Sequence, residues 1–110
     1  EHIAGAFPVW IAPVQAVVVP ITDRHNDYCH DVGKILGRAG VRIEVDDSSD
    51  RMNAKIRKAQ LQKVPYMLVV GDREQEAGEV SVRLRSGDDL GSMPIASVES
   101  RIAEEVANFK

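Results

Sequence analysis

The chain alternates short β-branched runs with longer stretches in which apolar residues recur every three or four positions, a pattern of strands separated by amphipathic helices. Val14 to Ile21 (VQAVVVPI) is nearly continuous in apolar residues, as a strand covered on both faces requires. Thr22 and Asp23 then offer N-cap oxygens, and Tyr28, Val32, Ile35, Leu36 and Ala39 fall on one helical stripe. Gly40 stands where a helix-ending glycine belongs. Beyond it Val41, Ile43 and Val45 alternate with Arg42, Glu44 and Asp46 as a second strand. Strand, helix and strand at this length imply a right-handed parallel crossover.

The acidic and hydroxylic run Asp46 to Asp50 (DDSSD) reads as a turn whose side chains cap the next helix; a metal site is the sharper alternative. Met52, Ile56 and Ala59 form the inward stripe of that helix. Arg57 lies roughly 100° from the stripe, exposed beside Asn53 and Gln60, with Lys55 and Lys58 on the opposite flank. Val64-Pro65 stops the helix, because proline disfavours a helical residue before it. Tyr66 to Val70 is a third, central strand. Gly71-Asp72 turns the chain and leaves Glu74 just past that strand's C-terminal end, where open α/β sheets place ligand sites. Val80, Val82 and Leu84 alternate with Ser81, Arg83 and Arg85 in a fourth strand with one apolar and one basic face. Ser86 to Gly91 reads as a loop. Ser92 and Pro94 mark the start of a last helix that turns Ile95, Val98, Ile102, Val106 and Phe109 inward. The order βαβαββα predicts an α/β fold, a mixed, mostly parallel sheet of four to five strands flanked by three helices.

Composition changes this picture in one respect. At 110 residues with 44% hydrophobic and 28% charged residues, the chain suits a single globular domain, and no apolar run approaches a membrane span. A single cysteine, Cys29, excludes an internal disulfide and suits a reducing compartment, with the cytoplasm as the default. The net charge of -3, however, conceals a segregation. From Arg51 to Gly71 there are five basic residues (Arg51, Lys55, Arg57, Lys58, Lys63), while all 17 Asp and Glu lie elsewhere. One face is therefore suited to an anion. The opening residues, EHIAGAFPVWIAPVQ, are apolar but broken by Pro8 and Pro13. They read as a surface linker over residues 1–13 that precedes a domain over 14–110, with Phe7 and Trp10 as anchors or, alternatively, base-stacking rings.

The candidate chemistry is that of recognition. His25, Cys29 and His30 have no recognisable third partner for nucleophilic or zinc chemistry, and phosphate-binding glycine loops and CxxC pairs are absent. Arg57, Glu74 and Arg83 remain, projecting from a helix flank, a strand-end loop and a sheet face. Arginine can donate paired bonds to a base edge or stack on it. A carboxylate can accept from the N1–H and amino group of guanine. Donors and an acceptor together suit a base better than a phosphate; the alternative is that Arg83 and Glu74 form a surface ion pair.

These residues sit within a broader resemblance. FPVWIAPVQ (Phe7 to Gln15), PITD (Pro20 to Asp23), KIRKAQLQKVPYMLVVGD (Lys55 to Asp72), VSVRLR (Val80 to Arg85) and DLGSM (Asp89 to Met93) make the chain similar to the C-terminal anticodon-binding domain of bacterial threonyl-tRNA synthetases, a class II family. The APVQ run specifies only the wider group of prolyl, histidyl, glycyl and threonyl enzymes, whereas FPVW with PYMLVVGD, VSVR and GSM points to threonine. The resemblance implies that Arg57, Glu74 and Arg83 contact the anticodon, with Asn53, Lys55 and Arg85 as possible further RNA contacts. Threonine anticodons end in G and U, and Glu74 is the acceptor suited to the guanine. Where many members have an asparagine, this chain has Ser49, with Asn53 one turn later as a candidate substitute.

The resemblance further implies that Glu1 to Ala6 closes an upstream catalytic domain, and that this chain does not aminoacylate by itself. ATP and a catalytic zinc would belong to that upstream part, and no cofactor or metal to this chain. The partners implied are threonine tRNA, the catalytic domain and, for the parent, a second copy in a homodimer, with no membrane. Two other classes stay open: a stand-alone accessory or protein-interaction module on the same fold, and a small α/β enzyme using His25 or Cys29.

Overall fold

A computed structural model describes residues 12, 14–48, 50–84 and 88–107. Phe7 and Trp10, expected from the sequence to anchor a linker, lie outside the described residues, as do Ser49, Arg85 and Phe109. Among the described residues five strands form one sheet: β1 (Ala16–Pro20), β2 (Ile43–Val45), β3 (Tyr66–Val70), β4 (Glu79–Leu84) and β5 (Asp89–Pro94), in the spatial order β2-β1-β3-β4-β5. β1 pairs parallel with β2 and β3, while β4 is antiparallel to both of its neighbours. Four strands therefore point one way and only β4 runs against them, as the expected mixed, mostly parallel sheet requires.

The chain steps from β1 outward to β2, then back across β1 to β3. Right-handed crossovers in opposite directions must place their helices on opposite faces. Accordingly α1 (Asn26–Arg38) lies on one face and α2 (Met52–Leu61) on the other, each with its own core. The larger core joins Ala16 and Val18 of β1, Tyr66, Leu68 and Val70 of β3, and Val80 and Val82 of β4 to Cys29, Val32 and Leu36 of α1 and Val98 and Ile102 of α4 (Ile95–Ala107). The smaller one puts Val17, Val19, Met67 and Val69 beneath Ala59, Met52 and Ile56 of α2. Each fully buried aliphatic side chain contributes about 1.5–3 kcal/mol. Period-two alternation along β1 and β3 thus feeds both cores at once, which is why their sequences read as unbroken apolar runs.

Several boundaries differ from the sequence reading. The first is a fourth α-helix, α3 (Asp72–Ala77), where a turn was expected between the third and fourth strands. Gly71 precedes it, Asp72 and Glu74 sit in its first turn where the helix dipole favours carboxylates, and Gly78 closes it at φ 72°. The second is β5, which replaces a loop and the supposed start of the last helix, so that helix begins at Ile95 and not at Ser92. Glycine and aspartate disfavour a strand in isolation, and here cross-strand pairing with β4 overrides that preference. The first helix opens with a 3-10 turn, Asp23–His25, and its Ile35 is exposed while Cys29 is buried in the core. α2 starts with Arg51 at its N-cap, and Asp46 Oδ1 accepts the Ser48 N–H within the preceding turn.

Candidate nucleic-acid interface

Among the described residues, the sheet face under α2 is covered only in part. Every buried member of the smaller core comes from β1, β3, α2 or the residue Val64 after it, and none from β4 or β5. Ser81 and Arg83 point to this same face, since Val80 and Val82 point to the other. Ser92 pairs with Ser81 in register, while Met93 packs with the larger core, so Ser92 also stands on the open half. β4 and β5 therefore present a floor of hydroxyls and one guanidinium. Ser81 and Arg83 are two residues apart, roughly 7 Å along the strand.

One flank of α2 borders this floor. A cavity of about 260 Å³ on the β2 side is lined by Val17, Glu44, Lys55, Lys58 and Gln62 among others, and so identifies the flank that faces away from β4. Asn53, Arg57 and Gln60 occupy the other flank, and all three are exposed. Lys55 corrects the sequence reading: it is only 3% exposed, and its Nζ donates to the Pro20 carbonyl at 3.3 Å, so it is not on an exposed RNA-facing surface. Its four-carbon stem reaches past the edge of the apolar stripe to an acceptor at the end of β1.

Glu74 stands at the upper edge of the floor. Its Oε1 accepts the Gly71 N–H at 2.8 Å, and its Oε2 accepts the Ser92 hydroxyl at 3.3 Å. Each oxygen keeps a second lone pair. The carboxylate is thus held in place while it still has room for two more donors. A side chain on Gly71 would intrude here, because its Cβ would lie 2.7 Å from Ile21 Cδ1 and 3.2 Å from Glu74 Oε1. The alternative ion pair between Glu74 and Arg83 is not formed. The carboxylate near Arg83 is Asp89, with Oδ2 3.9 Å from Nε; that separation exceeds a hydrogen bond, and the buried Nε has no hydrogen-bond partner among the described residues.

The structure brings Arg57, Asn53, Glu74 and Arg83 to one side of the sheet. Sequence reasoning missed Ser92, which it placed in a helix, and the group that lies below Glu74. His25 Nε2 and Asp72 Oδ1 are 2.7 Å apart, and Arg24 Nη2 donates to Asp72 Oδ2 at 2.7 Å. The His25 hydrogen bond, with Arg24 assisting, holds the Asp72 carboxyl below its usual range. The signal was the pair of loops following β1 and β3, since adjacent parallel strands bring such loops together.

The nucleophile reading fails on geometry. His25 is committed to Asp72, His30 bonds Asp47 at the surface, and burial pushes the Cys29 thiol up to about 12, far from the thiolate that reactivity requires. Among the described residues no group of three His, Cys, Asp or Glu is placed to hold a metal, and no helix is long and apolar enough to cross a membrane.

Comparison with known proteins gives this arrangement its class. Residues 15–105 match the family model described as an anticodon binding domain, and the chain belongs to that family. Within it, the similarity is to threonine–tRNA ligases. The chain is 52% identical over 108 residues to that of Nocardioides sp., covering 98% of this chain and 16% of the relative. It is 55% identical over 97 residues to that of Thermus thermophilus, covering 88% and 15%. Among solved structures, the RNA binding domain of threonyl-tRNA synthetase from Cryptosporidium parvum Iowa II superposes with a TM-score of 0.90 at 30% identity, over 96% of this chain and 26% of that one. A prolyl-tRNA synthetase from Cryptosporidium parvum gives 0.82 at 30% identity, over 94% and 24%. The chain thus spans only 15 to 16% of the length of these two ligase relatives.

Proposed function

We propose that this chain reads the anticodon of threonine tRNA on behalf of a threonine–tRNA ligase, with the open half of the sheet as the RNA surface. Support comes from the family, from relatives that are ligases of that specificity, and above all from the Glu74 carboxylate, fixed by Gly71 and Ser92 at the edge of a floor that carries Arg83. Guanine presents N1–H and an exocyclic amino group side by side, and a carboxylate accepts both. Adenine presents a lone pair at N1 and would be repelled. Arg57 and Arg83 supply donors or a stacking plane for the unstacked loop, with Asn53 beside Arg57 as an amide donor and acceptor.

By the same resemblance, aminoacylation, ATP, a catalytic zinc and the contact between two protomers belong to the rest of such a ligase, acting in the cytoplasm. The contribution of this chain is selection of the RNA. Domain limits of 1–13 for the linker and 14–110 for the reader complete the proposal.

The test is fluorescence anisotropy of the chain with a threonine anticodon stem-loop, beside one whose anticodon guanine is changed to adenine, at fixed salt. The guanine loop is expected to bind about 5- to 150-fold tighter, the ~1–3 kcal/mol of one paired base contact, and Glu74→Ala to abolish the difference. Equal binding of the two loops by the unaltered chain would overturn the reading.

A further inference from the structure

α3 buries none of its six residues, so apolar packing does not set its position. Polar ties do, and the one to a buried partner runs from Asp72 to His25, 47 residues away. The His25 side chain is 3% exposed and sits at the end of the 3-10 turn that follows β1. Its Nδ1 accepts the Thr22 N–H at 3.3 Å, which leaves the ring proton on Nε2, aimed at Asp72 Oδ1 at 2.7 Å. Asp72 is the first residue of α3 and Glu74 the third, within a single turn. Any shift of Asp72 is therefore passed to Glu74 with little lost between them.

We propose that His25, acting through Asp72, is a positioning residue for base recognition: it fixes the first turn of α3, and with it the carboxylate that accepts from guanine. This rests on the reading of Glu74 given above. Arg24 shares Asp72, but it is 69% exposed on its side chain and its ion pair is screened by solvent, so the buried imidazole carries the geometry.

The experiment measures the ratio of affinities for the guanine and adenine stem-loops in the full 110-residue chain, with thermal unfolding to check the fold. His25→Ala opens a buried site and puts the fold itself at risk, so the decisive variants are at exposed Asp72. Asp72→Ala is expected to lower the guanine-to-adenine ratio by about five-fold, the weight of one intramolecular hydrogen bond. Asp72→Asn keeps a carbonyl acceptor for the Nε2–H and should restore most of the ratio, and Arg24→Ala should leave it within two-fold of the unaltered chain (about 0.4 kcal/mol). A ratio unchanged in Asp72→Ala while Glu74→Ala abolishes it overturns the positioning role alone. Equal loss in Asp72→Ala and Asp72→Asn also overturns it, since charge and not the hydrogen bond would then be at work. An unaltered chain that prefers neither loop overturns the Glu74 reading, and this one with it.

Discussion

Lys55, a residue of α2, is almost wholly buried, with the Pro20 carbonyl as the acceptor of its Nζ. Burial of a charge is costly unless its partners are good, so removing the charge while keeping the volume should do little harm. Lys55→Met is expected to change the unfolding free energy by less than about 1 kcal/mol in urea titration. It should also leave the salt slope of RNA binding unchanged, because no phosphate contact is lost. A fall in that slope would show that Lys55 leaves its buried position to meet RNA. The helical wheel could not foresee this burial. It places Lys55 at the margin of the apolar stripe, where the reach of the stem and the position of a carbonyl on another strand decide the outcome. Glu74 was legible as a carboxylate beyond β3, but the Ser92 hydroxyl that steadies it was not, since the two meet only when β5 joins the sheet.

At the scale of elements, strands β1 and β3 and helices α1, α2 and α4 announced themselves by periodicity, because each buries a stripe or a full face. α3 and β5 did not. The first buries nothing, and the second is an edge strand of glycine, serine and aspartate held by pairing to β4. Both were needed to build the site, so the residues of the interface were easier to name than to place. Another tie between elements joins α4 to the start of β3: Tyr66 donates its phenolic proton to Glu105, and Arg101 Nε donates to the phenolic oxygen at 3.1 Å. Burial first, then the bond to Glu105, pushes the Tyr66 phenol up to about 12 from an ordinary value of 10.0. The unfolded chain then loses this proton before the folded one does, so stability is level below pH 10 and declines as pH rises towards 12. Chemical denaturation across that range should show the decline, and Tyr66→Phe should flatten it. An unchanged alkaline profile in Tyr66→Phe would assign the decline elsewhere.

For the whole molecule, the consequence of stepping out to β2 and back to β3 is a division of faces. α1 and α4 close one side of the sheet over its larger core, and α2 closes only the β1–β3 half of the other. The uncovered half carries Ser81, Arg83 and Ser92, flanked by Asn53 and Arg57 and topped by Glu74. The excess of basic residues from Arg51 to Gly71 then acquires a direction, since its exposed members on α2 border that open half or the cavity beyond it. The most direct measurement is amide chemical-shift mapping of the isotope-labelled chain titrated with a threonine anticodon stem-loop. Shifts should concentrate at Asn53, Arg57, Glu74, Ser81, Arg83 and Ser92, with little change along α1 and α4. Shifts centred on α1 and α4, with the open half of the sheet silent, would contradict the placement of the RNA on this face.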